Sequence, residues 1–181
     1  MKKYALLLMI VIGIVVVGCE RKETAAVTSA SGSGAPVALP AGLVLASAPT
    51  EAKTVKEIRT AGKDGDEVVM RGVIAGRKDP IAENRAVLTL LDPAVPTCNK
   101  MTGPMGDCKT PWDACCETTD VLTANSATVQ VVDESGMVLK TGLGQVAGVK
   151  PLKEVVVKGK LHVSPDGKAA VVDATGLYVT P

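Results

Sequence analysis

Residues 153–179 read KEVVVKGKLHVSPDGKAAVVDATGLYV. Two valine-rich runs, Lys153–Val163 and Ala169–Val179, flank Ser164-Pro165-Asp166-Gly167. Proline presets φ and glycine accepts φ > 0, so these four residues predict a turn joining two strands. Gly159 falls inside the first strand, where it weakens an ordinary strand. It fits a strand that must bend sharply or take a bulge.

Three earlier runs share this texture: Glu67–Gly76 (EVVMRGVIAG), Arg85–Asp92 (RAVLTLLD) and Ser126–Asp133 (SATVQVVD), the last followed by MVLK at Met137–Lys140. Gly72 sits mid-strand in the first, as Gly159 does in the fourth. The stretch TGLGQVAGVKPL after the third leaves room for one short helical turn. Ahead of the strands, Thr50 is the expected N-cap of a helix on which Ala52, Val55, Ile58 and Ala61 recur at helical spacing, closed by Gly62. Five strands with internal glycines predict a small curved sheet that closes on itself. The expected class is mainly β: a five-stranded OB-fold-like barrel with a short N-terminal helix and a long Cys-rich insertion between strands 2 and 3.

The first residues carry a different signal. Met1-Lys2-Lys3 is followed by an almost wholly apolar run from Ala5 to Val17. That run is shorter than the ~20 residues of a spanning helix and suits a signal peptide. It ends in Val16-Val17-Gly18-Cys19, which resembles the bacterial lipobox. The resemblance implies removal of residues 1–18, acylation of Cys19, and a membrane partner reached through the lipid. Residues 19–49, rich in Ala, Ser, Thr, Gly and Pro, then read as a tether reaching roughly 30 Å. Leu43–Ser47 is its one stretch apolar enough to pack on the domain, which is expected at 50–181. Loss of Lys2 and Lys3 leaves 18 basic against 19 acidic residues, a formal charge of −1. Proteins that live on phosphate contacts carry a basic excess instead.

Composition narrows the partners further. The chain has no Phe, one Trp (Trp112) and two Tyr, of which Tyr4 leaves with the signal. Its core must be Val, Leu, Ile and Ala. OB-folds that bind single-stranded nucleic acid stack bases on strand aromatics over a positive groove. Here Trp112 lies in the insertion and only Tyr178 lies on a strand, so nucleic acid is disfavoured. Arg71, Arg77, Lys78 and Arg85 gather around the first two strands. They read first as solvated charges and second as the rim of a groove for a small anionic ligand. Arg71, Arg77 and Arg85 are the candidate binding residues, with Trp112.

The insertion, residues 93–124, holds Cys98, Cys108, Cys115 and Cys116. An even count in an exported loop predicts two disulfides, each closure of about 15 residues contributing roughly 3 kcal/mol. Adjacent Cys115 and Cys116 cannot pair with each other without strain. Cys98 and Cys108 then each join one of them, in either of two connectivities. A metal is the alternative. Spacings of nine, six and zero intervening residues lack the paired knuckles of zinc sites. Copper(I) suits soft sulfur, and Met101 and Met105 share the loop. The lack of Cys-x-x-Cys argues against a redox pair. Trp112, following Pro111, is the loop's packing anchor and its expected half-exposed contact surface; Asp107 and Asp113 read as turn formers.

Catalytic signals are few. His162 is the only histidine, and no Gly-x-Ser-x-Gly, His-Glu-x-x-His or phosphate-binding glycine loop occurs. Asp92, Asp133 and Asp173 end or interrupt strand runs and read as turn residues. Neither an enzyme nor a cofactor is expected.

The segments DEVVMRGVI, AVLTLLD, ATVQVVD, VVVKGKLHV and AVVDATGLYV together resemble small secreted bacterial OB-fold proteins. The PWDACC loop, Pro111–Cys116, resembles that of a group of planctomycete-type lipoproteins with no established activity. The resemblance covers roughly residues 50–180 and implies fold and location only. The expected function is a non-enzymatic OB-fold binding or interaction module, lipid-anchored in the cell envelope and facing the periplasm or exterior, with an envelope protein or small anion as partner. Copper or zinc handling by the Cys/Met loop is the alternative, and nucleic-acid or oligosaccharide binding the second.

Overall fold

The computed structural model describes residues 38–101 and 108–181. The expected signal peptide, Cys19, the tether as far as residue 37, and Met105 and Asp107 of the loop lie outside the described residues. A two-residue strand, β1 (Lys53–Thr54), precedes the five main strands β2 (Glu67–Ile74), β3 (Val87–Leu91), β4 (Ser126–Gln130), β5 (Glu154–Val163) and β6 (Ala170–Val179). Around the sheet the order is β1-β2-β3-β4-β6-β5. A further antiparallel ladder from Glu67↔Lys160 to Val73↔Glu154 joins β5 back to β2 and closes the barrel. β4 and β6 run parallel, while the other main pairs are antiparallel. This is an OB-fold-like barrel of five strands.

Alternation decides which side chains fill it. Val68, Met70 and Ile74 of β2, Leu88 and Leu90 of β3, and Ala127 and Val129 of β4 point inward at every second position. On β6 the phase changes: Ala170, Val172 and Ala174 are inward, and the next inward core side chain is Leu177. The pairing register shows why. It jumps from Gly159↔Ala174 to Lys158↔Gly176, so Thr175 is an extra residue on β6. One extra residue flips every later side chain to the opposite face and sharpens the local bend. Gly159 lies opposite that bulge. The expected strand MVLK reduces to one bridge, Val132↔Val138. Asp133 folds it back, its Oδ1 accepting from Ser135 N, Ser135 Oγ and Met137 N at 2.6–3.0 Å. A 3₁₀ turn, Leu143–Gln145, buries Leu143 in the connection from β4 to β5.

Helix α1 spans Val55–Ala61 and begins after Thr54 rather than Thr50. Thr54 Oγ1 accepts from Glu57 N at 3.3 Å, and Glu57 Oε2 accepts from Thr54 N at 2.7 Å. This reciprocal capping box satisfies two orphan donors at once, which Thr50 cannot do. Val55 and Ile58 are buried in the barrel core. Leu43 joins the same core. Leu45 N donates to Leu177 O at 2.9 Å and Leu177 N to Leu43 O at 2.6 Å. The packed domain therefore includes residues ahead of the boundary expected at 49/50. Apolar Leu43 gains burial where β6 offers unpaired backbone groups.

The insertion has a core of its own. Helix α2 (Thr119–Asn125) starts after Thr118, whose Oγ1 accepts from Val121 N, and leads directly into β4. Val121 and Leu122 pack with Trp112 against buried Ala75, Leu91, Val95 and Ala114. The segment is thus held by apolar burial, not only by whatever its cysteines do. Among the described residues no helix is long and apolar enough to cross a membrane.

Candidate functional site

Outward residues of β3 and β4 form the floor of a groove. Thr89 and Thr128 are directly opposite each other across the two strands. The inward alternates, Leu88, Leu90, Ala127 and Val129, belong to the core, so the hydroxyls must face out. Thr119 and Thr123 of α2 make one wall, and Lys168 and Ala169 from the turn between β5 and β6 make another. Gly76, Arg77 and Ser126, with apolar Leu122, Ala127 and Ala170, complete the lining around about 340 Å³. That is near the lower end of ligand-binding cavities, ~300–1,000 Å³.

Arg77 is held through its two neighbours, and Lys168 by its own backbone. Gly76 N donates to Trp112 O at 3.0 Å, and Trp112 Nε1 donates to Lys78 O at 2.8 Å. Trp112 thus brackets Arg77 from either side. Gly76 adopts φ +96°, a left-handed conformation that favours glycine. At the other wall, Arg59 of α1 donates from one terminal nitrogen to Gly167 O at 2.9 Å and Lys168 O at 3.1 Å. Asp166 Oδ1 accepts from Lys168 N at 3.1 Å and from Ser164 Oγ at 2.6 Å. Among the described residues neither Arg77 nor Lys168 has a carboxylate within ion-pair distance. The groove combines two cations and a set of hydroxyls with apolar Leu122 and three alanines.

Ser164 Oγ, then Lys168 N, hold the Asp166 carboxyl below the usual aspartate value. A depressed carboxylate stabilises the turn above its unfolded pKa and loses that effect as pH falls through the folded value. The turn should therefore stay closed through the ordinary aspartate range near ~3.9 and open only in stronger acid. Ser164→Ala should move the Asp166 midpoint upward, as followed by its carboxyl ¹³C shift. An unmoved midpoint would mean that Ser164 is not the main cause.

The other expected binding residues lie elsewhere. Arg71 on β2 faces Glu154 at 3.7 Å, and Arg85 lies exposed before β3; neither lines the groove. Trp112 is half-buried against the insertion's core, and its Nε1 donates to Lys78 O beside Arg77; it does not line the groove. Lys168 and Arg59 were missed by sequence reasoning. The turn Ser164–Gly167 was the available signal, since a turn between the last two strands sits over a barrel's mouth.

His162 is clamped between two carboxylates. Its Nε2 lies 3.0 Å from Asp173 Oδ2, and its Nδ1 lies 3.8 Å from Asp64 Oδ1. Asp173 Oδ1 accepts from Gln130 Nε2 at 2.8 Å. Asp92, Asp133 and Asp173 keep separate partners and do not form one carboxylate site.

No disulfide is formed among the described cysteines. In place of the two expected pairs, the sulfurs of Cys98, Cys115 and Cys116 converge within 4.8 Å of one another. The chain turns at Cys115–Cys116, so the adjacent side chains face one point rather than two partners. Cys98 Sγ and Cys115 Sγ are 3.5 Å apart, a sulfur contact and not a bond of ~2.05 Å. The contact with Cys98, with some desolvation, pushes the Cys115 thiol up to about 12. The neighbouring Cys98 thiol, with some desolvation, pushes the Cys108 thiol up as well.

Neither a protein-family model nor a curated protein matches the chain.

Proposed function

We propose that the chain is a lipid-anchored envelope protein whose OB-fold-like barrel binds a small anionic ligand without turning it over. The observation that carries this reading is that Arg77 and Lys168 line one groove with a floor of threonine hydroxyls, and among the described residues neither has a carboxylate within ion-pair distance. Cationic donors and hydroxyls together suit a phosphate, sulfate or carboxylate group, whose oxygens accept charge-assisted hydrogen bonds. The size favours a single small molecule. The groove lining includes no aromatic ring, which counts against stacked nucleic acid or sugar. The anchor at Cys19 and a position facing the periplasm or exterior rest on the lipobox-like N-terminus.

Calorimetric titration with inorganic phosphate, sulfate and a monophosphorylated sugar tests the reading. Arg77→Ala and Lys168→Ala should each weaken the best of these about tenfold, the effect of one charge-assisted hydrogen bond at an open site. Raising salt should weaken binding in parallel. Binding indifferent to both substitutions would remove the groove from consideration. Tighter, steeply salt-dependent binding to an oligonucleotide would point to the nucleic-acid alternative.

A further inference from the structure

We infer that Cys98, Cys115 and Cys116 hold a soft closed-shell cation, Zn²⁺ or Cu⁺. The three sulfurs already lie within 4.8 Å of one another, and the Cys98–Cys115 separation is 3.5 Å. In a tetrahedral thiolate site with metal–sulfur bonds of ~2.3 Å, the sulfur–sulfur edges are about 3.8 Å. The cluster is therefore close to the size of a filled coordination shell. Each ligating thiol releases its proton to solvent as the metal–sulfur bond forms.

The scaffold explains how three sulfurs meet. Cys98 opens a 3₁₀ turn, and its N–H donates to Asp113 O at 2.7 Å. Asn99 N donates to Pro111 O at 2.8 Å, so residues 98–99 are tied to 111–113 by backbone alone. Ala114, buried in the insertion's core, fixes the chain just before Cys115, and Glu117 N donates to Ala114 O at 3.0 Å just after the pair. Cys98 is buried while Cys115 and Cys116 are exposed. The ion would be seated on a buried sulfur and reached from solvent past the other two.

A disulfide staple makes a different demand. It uses sulfurs two by two, and adjacent cysteines serving separate bridges must diverge. Here Cys115 and Cys116 converge with Cys98. Sulfur-only donors also favour a soft ion over Mg²⁺ or Ca²⁺, which take oxygen ligands.

The test uses the full chain in detergent, reduced and metal-free, titrated with Co²⁺ as a coloured probe. A thiolate-to-cobalt charge-transfer band saturating at one equivalent is expected, with displacement by Zn²⁺ or Cu⁺. The tighter competitor identifies the ion, and either one supports the site. Loss of an outer-sphere partner already costs 10–100-fold in metal affinity, so Cys116→Ser should weaken Co²⁺ binding by about a hundredfold or more. Cys116 is exposed, so this variant should fold even if one at buried Cys98 does not. No charge-transfer band, or a band unchanged by Cys116→Ser, would overturn the inference. So would a chain isolated from its own envelope with two disulfides and no bound ion by native and denaturing mass spectrometry.

Discussion

Gly159→Ala should lower the unfolding free energy by about 3–4 kcal/mol, above the usual range for overpacking. A methyl group at Gly159 would run into the backbone carbonyl oxygen of Asp173, with Asp173 C at 2.8 Å and Ala174 Cα at 2.9 Å. These are backbone atoms of the paired strand, at the site where the ladder skips Thr175. No rotamer change relieves such a clash. Either β5 and β6 separate, breaking ladder bonds, or the bulge is lost and Leu177 rotates out of the core. Gly176→Ala is the matched control. Its added carbon would meet Leu45 side-chain atoms at 2.9–3.2 Å, and these can move aside. That variant should cost no more than about 1 kcal/mol. Urea unfolding of the two variants decides the matter. Equal midpoints would mean that the barrel does not depend on close approach at the bulge.

The second large effect is expected at Asp92, where alanine should cost about 3 kcal/mol. The residue is only 3% exposed, yet its carboxylate is doubly engaged. Oδ2 accepts from Lys56 N in the first turn of α1 at 2.8 Å, and Oδ1 accepts from Ala94 N at 3.0 Å. Its own N–H donates to Asn125 O, the last residue of α2, at 2.8 Å. One residue thus ties α1, the start of the insertion and the end of α2 together. Alanine would orphan two part-buried amides, and hydrogen bonds to charged groups contribute roughly 1.5–3 kcal/mol each. Asp92→Asn keeps one acceptor but turns an N–H₂ toward a donor, so about half the loss should remain. Denaturant unfolding would measure the cost, and hydrogen exchange at Lys56 and Ala94 would locate it. A loss spread evenly over the barrel would contradict the local account.

The five main strands were legible because they rest on local patterns. Valine-rich alternation and the Ser164–Gly167 turn place β5 and β6 to within a residue. MVLK was misleading for the same reason: its propensity is real, but it finds one bridging partner. Of the groove, only Arg77 was within reach of the sequence. Lys168 looks like any turn lysine until Arg59, 109 residues away, accepts the job of holding its carbonyl. Trp112 was visible as an anchor, whereas its bracket around Arg77 depends on a hydrogen bond to Lys78, 34 residues away. The cysteines were counted correctly and grouped differently. Pairing rules work on spacing, and the convergence of three sulfurs depends on the turn at Cys115–Cys116 and the small core beneath Ala114.

By itself the sequence determined the strand set, the aliphatic core, the long insertion with its four cysteines, and the lipobox-like start on which the envelope reading rests. Those follow from alternation, composition and short motifs, which act over a few residues. Tertiary structure alone decided the closure of β2 on β5, the phase shift at Thr175, the groove shared by Arg77 and Lys168, and the meeting of Cys98 with Cys115 and Cys116. Each of these joins residues far apart in the chain. Such contacts form only when burial of the common core offsets the entropy of bringing distant segments together.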